Sequence, residues 1–140
     1  MFDSPNIGPR LKLRLYAVGI CTLMTYGCES WTLTKEVCRQ LNGANSLMLS
    51  RVTGNPVRQE ARAATTSHDL LRHVRVMRLK WLAKILRGDQ TSLVFCAAYT
   101  QYQMGSPVNL FMDAPQHNSF EDLVAKAADK AAWDEHVRFI

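Results

Sequence analysis

Periodicity in this chain predicts an all-α fold, a small irregular bundle of about four helices with one weakly structured interval. Three observations carry that expectation. Apolar residues recur at helical spacing in several long stretches, and capping residues and glycine or proline stops bracket those stretches. A hydrophobic content of 47% over 140 residues is also enough to bury one core, or two small ones.

Residues 1–9 contain Pro5, Gly8 and Pro9 and read as an irregular lead-in. From Arg10, Leu11, Leu15 and Val18 form one helical row and Leu13, Ile20 and Met24 another. A helix apolar on nearly all sides belongs at the centre of a bundle, although part of this stretch also has strand character. Gly27 can take the left-handed conformation that closes a helix. After the polar Glu29-Ser30, Thr34 is placed to cap a second helix, with Glu36 in its first turn set favourably against the helix dipole. Val37, Leu41, Ala44, Met48 and Val52 make its apolar row. Asn42-Gly43 interrupts it, and Gly54 and Pro56 stop it. Residues 55–66, with Arg58 and Arg62, form a cationic connector.

The third helix is expected over residues 67–88, SHDLLRHVRVMRLKWLAKILRG, capped by Ser67 and closed by Gly88. Leu70, Val74, Met77, Trp81 and Ile85 give it a core-facing row, which makes Trp81 a packing residue. That row puts His73, Lys80, Lys84 and Arg87 on one flank. Arg72, Arg75 and Arg78 lie on the other, interleaved with Leu71, Leu79, Leu82 and Leu86. Residues 89–118 show no firm element. At Ser119, Ser-Phe-Glu-Asp has the form of a capping box with Asp122 in the reciprocal place. It opens an acidic C-terminal helix over 119–140 that buries Phe120, Leu123, Val124, Ala127 and Ala131. The expected organisation is thus a lead-in at 1–9, a bundle at 10–88, a linker at 89–118 and the terminal helix.

Charge is unevenly distributed. Residues 67–88 hold six basic side chains against one acidic, and residues 89–140 hold three against seven, within a formal net charge of +5. A polyanion is therefore drawn to the middle of the chain and repelled by its end. Two readings of the cationic helix stand at this point: a phosphate-binding face, or a solvated one. Trp31, beside the polar loop, is either a core anchor or an accessible aromatic.

Catalytic and metal-binding classes find little support in the residues. Cys21, Cys28, Cys38 and Cys96 are too scattered for a disulfide framework or a zinc site, which points to an intracellular chain, nuclear or cytoplasmic. The apolar run 15–28 is shorter than the roughly 20 residues that span a bilayer, so no membrane partner is expected. Glu121 and Asp122 read as first-turn dipole partners rather than metal ligands. No glycine-rich phosphate loop occurs, and no cofactor is expected.

Three segments carry a family resemblance. They are Lys12-Leu13-Arg14-Leu15-Tyr16, then Tyr26-Gly27-Cys28-Glu29-Ser30-Trp31-Thr32-Leu33-Thr34, then Arg78-Leu79-Lys80-Trp81-Leu82-Ala83-Lys84-Ile85-Leu86-Arg87. Together they resemble the region downstream of the palm in reverse transcriptases of non-LTR (LINE-like) retrotransposons, where a KLRLY-like helix is followed by LLYGCETWTLT and RLRWLGHILR. Asp129 and Trp133 are similar to the D-x-x-x-W pattern of that family's last helix. Ala83 stands where the family usually has Gly, and residues 89–118 carry no Arg or Lys.

The resemblance implies the thumb and downstream piece of a retroelement polymerase. The palm's aromatic-Ala-Asp-Asp segment is missing from this sequence, as is the endonuclease, so no catalysis is expected. Binding to the backbone of RNA or an RNA–DNA hybrid would then fall to Arg72, Arg75, Arg78, Lys80, Lys84 and Arg87, with Arg58 and Arg62 in support. The alternative is a structural or interaction module, self-associating or docking to a palm through exposed Leu71, Leu79, Leu82 and Leu86, or a remnant without a selected role.

Overall fold

The computed structural model describes residues 7–53, 69–105 and 111–140, and every regular element among them is helical. The all-α class holds. Two compact units are present: Met1–Cys28 with Lys35–Val74, and Glu29–Thr34 with Arg75–Ile140. The division runs through the basic helix, where the sequence suggested one bundle over 10–88.

In the first unit, α1 (Pro9–Leu15) runs on into a π-helical segment, Tyr16–Cys21, and an α-helical turn, Thr22–Met24. Gly27 then turns the chain at φ +69°, the left-handed conformation that its lack of a Cβ permits. The second helix, α2 (Lys35–Thr53), starts directly after Thr34 and passes unbroken through Asn42-Gly43.

The π-helical segment packs Tyr16 and Cys21 with Leu49 and Val52 of α2 and with Leu70. The Tyr16 hydroxyl donates to Asn45 Oδ1 at 2.6 Å, so a polar side chain sits inside this core with its acceptor satisfied. That bond explains a shift in α2. Its deepest residues are Val52, which belongs to the expected row, and Asn45 and Leu49, which lie one position off it; Val37, Leu41, Ala44 and Met48 of that row are only half-buried. Burial raises the Tyr16 phenol and the Cys21 thiol above their ordinary pKa values, so both stay protonated at neutral pH.

The first helix is not a central element. Leu11, Val18, Leu23 and Tyr26 are exposed, the last two at 79% and 89%. Among the described residues, α1 packs chiefly on α2 and on its own π-helical continuation.

In the second unit, α3 (Leu70–Arg87) contributes Leu79, Leu82, Ala83, Ile85 and Leu86 to a larger core. Its N-terminus is held by Asp69, whose Oδ1 accepts from the Leu71 N–H at 2.9 Å; Ser67 lies outside the described residues. Gly88 closes the helix with an N–H donated to the Ile85 carbonyl at 3.1 Å, as expected.

The interval 89–118, expected to lack firm structure, contains α4 (Leu93–Gln103). Ser92 caps it by accepting from the Phe95 N–H, and Asp89 braces the turn before it through Thr91. α4 escapes periodicity because it buries little besides Ala98; it contributes rings instead. Phe95, Tyr99 and Tyr102 all pack against Phe120, with centroids 5.0 to 5.5 Å away. The Phe95 and Tyr99 contacts are edge-on, a geometry that adds about 0.5–1.5 kcal/mol each beyond area burial, and the Tyr102 contact is tilted.

The single C-terminal helix is in fact two, α5 (Phe120–Ala128) and α6 (Lys130–Phe139). Ser119 caps α5 from Oγ to the Asp122 N–H, and Asp122 reaches back to the Asn118 N–H, one residue earlier than a standard capping box. Asp129, extended at ψ 95°, ends α5 and caps α6 by accepting from the Ala131 and Ala132 N–H groups. Ala131 is consequently exposed, and Trp133 takes the buried place at 1% exposure. In physical terms the D-x-x-x-W pattern is a helix cap followed one turn later by a core anchor.

Tyr16→Phe removes the hydroxyl and leaves the Asn45 acceptor buried without its donor. A loss of about 1–2 kcal/mol is expected, read as a lower urea midpoint of the circular-dichroism transition.

Candidate nucleic-acid interface

The candidate surface is built on α3, which carries no acidic residue between Leu70 and Arg87. Its first turn buries Leu70 and Val74, the start of the expected row. At about 100° per residue that row continues through Met77 and Trp81. Beyond Val74 only Ile85 of that row is buried; Arg78, Leu79, Leu82, Ala83 and Leu86 take the other buried positions, leaving Met77 half-buried and Trp81 37% exposed. The sequence holds the signal for this second row, since Leu79, Leu82, Ala83 and Leu86 also stand at i, i+3, i+4 and i+7.

The eight cationic residues separate into distinct roles. Arg78 is corrected outright: at 3% exposure it belongs to the interior of the second unit rather than to an outer face. Arg75 is half-buried, and its Nε lies 3.6 Å from Asp113 Oδ1, so the acidic part of the chain draws off some of its charge. Arg87 is exposed, but its Nε donates to the Ala127 carbonyl. That carbonyl is in the last turn of α5 and has no intrahelical donor, so Arg87 acts as a side-chain cap. Arg72 is half-buried in the first unit. Arg58 and Arg62 lie outside the described residues.

Lys80 and Lys84 remain. Both are exposed and one turn apart, and neither takes part in an ion pair among the described residues. Trp81 lies beside them with more than a third of its surface open. The arrangement can offer two ammonium groups and one aromatic face to a polyanion. It cannot offer the wide guanidinium surface that six outward cations would have made.

The leucines proposed as an alternative docking surface are also reassigned. Leu79, Leu82 and Leu86 are buried at 0–2% exposure, and Leu71 is half-buried.

Two clefts lie in the second unit. One, of about 460 Å³, is lined by Lys126, Asp129, Trp133 and His136 among others. There Lys126 Nζ donates to the Gln116 carbonyl at 2.6 Å and to Asp122 Oδ2 at 2.8 Å, Asp129 caps α6, and His136 Nε2 donates to the Asp113 carbonyl at 2.9 Å. The Lys126 ammonium, then the Asn118 N–H, hold the Asp122 carboxyl below its ordinary pKa. The other, of about 500 Å³, is lined by Phe95, Tyr99, Phe120 and Val124 together with polar residues that include Gln90 and Glu121. No group of three or more potential metal ligands occurs among the described residues, and no described helix is long and apolar enough to cross a membrane.

No protein-family model, curated protein or solved structure matches this chain.

The division of roles predicts opposite responses to truncation. Arg87→Ala leaves the end of α5 uncapped and is expected to cost about 1 kcal/mol in chemical denaturation. Lys80→Ala and Lys84→Ala are each expected to stay within about 0.5 kcal/mol of the parent chain.

Proposed function

We propose that this chain is a non-catalytic nucleic-acid-binding fragment of a retroelement reverse transcriptase, gripping the backbone of RNA or an RNA–DNA template-primer hybrid through α3. The observation that carries this reading is the exposed Lys80–Lys84 pair on an 18-residue helix without a carboxylate. Phosphates are met by cations that can shed their own hydration and counterions, and among the described residues Lys80 and Lys84 have no ion pair to give up first. Two further features support it. The segments that resemble the retroelement family fall on α1 and its π-helical continuation, on the turn at Gly27 with the 3-10 helix Cys28–Ser30, and on α3. The paired aspartates of the family's polymerase site have no counterpart in this sequence, which leaves binding as the activity to be sought.

With Arg75, Arg78 and Arg87 engaged inside the second unit, the grip is narrow. It should depend on backbone charge and be indifferent to base sequence. Fluorescence anisotropy with an RNA–DNA hybrid, titrated from low to moderate salt, is expected to give a log–log slope of about −2, one unit for each lysine. The Lys80→Gln, Lys84→Gln double variant should flatten that slope to near zero. An unchanged slope in the variant refutes the reading. Metal-dependent primer extension by the chain alone would refute the non-catalytic part.

A second reading, an interaction module, is favoured by one specific observation: the outward Leu11, Val18, Leu23 and Tyr26 of the first unit. Such a face suits self-association or docking to a polymerase palm. On this reading light scattering shows a dimer that the Val18→Glu, Leu23→Glu double variant converts to a monomer. A monodisperse monomer for the parent chain removes self-association from consideration.

A further inference from the structure

We infer that Trp81 is a base-stacking platform, so that the strand taken by the α3 surface is single-stranded nucleic acid with unpaired bases. This rests on the reading of Lys80 and Lys84 as phosphate-binding residues and names the form of nucleic acid that the surface prefers.

The second unit buries Trp133 to 1% exposure, and α3 fills its own core with Leu79, Leu82, Ala83, Ile85 and Leu86. Trp81 is left out of that core with 37% of its surface open. In the helix it lies about 1.5 Å along the axis from Lys80 and about 4.5 Å from Lys84, and about 100° and 60° round from them, both lysines on the same side. An aromatic face with two cations along one flank has the composition of a single-strand site, where bases stack and the backbone runs beside ammonium groups.

A continuous duplex fits this surface less well. Its base faces are covered by neighbouring pairs, so an indole on a convex helix can meet phosphate, sugar or base edges there but no base face. An unpaired base exposes its π-face and can stack on the indole whatever its identity. Indole and ammonium groups together also suit an anionic lipid surface. Insertion there would need a free apolar helix face beside the lysines, and α3 has already placed that face in the interior.

The test compares the full chain with Trp81→Ala and Trp81→Phe, using a labelled 16-nucleotide oligothymidylate, a 16-base-pair duplex and phosphatidylserine vesicles at one salt concentration. The single strand is expected to bind about 5- to 100-fold more tightly than the duplex, with quenching of tryptophan fluorescence. Trp81→Ala should lose most of that preference while its duplex affinity and salt slope stay unchanged, and Trp81→Phe should retain part of it. Thermal melts followed by circular dichroism establish that each variant is folded. If Trp81→Ala binds the single strand as well as the parent does, the stacking role is overturned and the phosphate reading survives. If Lys80 and Lys84 also prove dispensable, or neither nucleic acid binds, both fall. Vesicle binding that depends on Trp81 and exceeds single-strand binding overturns it in favour of a membrane surface.

Discussion

Leu70, in the first turn of α3, closes one hydrophobic cluster with Tyr16, Cys21, Leu49 and Val52, while Leu79, Leu82, Ala83, Ile85 and Leu86 of the same helix anchor another. A helix of 18 residues that serves two cores has only a narrow arc left for other work. Most features of the candidate surface follow from that demand. Arg78 falls among the buried positions of the second unit, where its guanidinium is shut off from solvent. Trp81, in line with the row that serves the first core, falls outside the second. Lys80 and Lys84 keep the arc that remains.

The charge asymmetry of the chain works within the molecule as well as toward a partner. Asp113 takes up Arg75 through its carboxylate and His136 through its carbonyl, and the end of α5 takes up Arg87. Part of the positive helix is thereby spent on organising the acidic C-terminal half. A basic stretch in a sequence states how much charge is present. How much is offered outward depends on which carboxylates and helix ends come within a few ångströms of it.

Local chemistry was the more legible layer. Gly27 as a left-handed closure, the start of α2 after Thr34, the stop at Gly88 and the cap at Ser119 each depend on two to four neighbouring residues, and each is found where its residue type required it. The exceptions are equally local. Asp129 divides the last helix because its carboxylate accepts from the next N–H groups more readily than its backbone continues a helix. α4 carries the cap Ser92 but no clean apolar stripe, since its contribution to the core is made by aromatic edges meeting Phe120. An amphipathic template has no means of registering such contacts.

The helical class, most helix ends and the concentration of positive charge on α3 were written in residue order, because propensity, capping and periodicity act over one or two turns. The buried face was not. In α2 Asn45 and Leu49, one position off the expected row, joined Val52 in the core, with Asn45 meeting the Tyr16 hydroxyl across 29 residues. In α3 the buried face changed row because two equally regular apolar patterns were present and separate cores selected different ones. Burial is a property of what packs against a helix, and Arg75 and Arg87, on opposite flanks of α3, were reassigned by partners too far along the chain for any periodicity to reach.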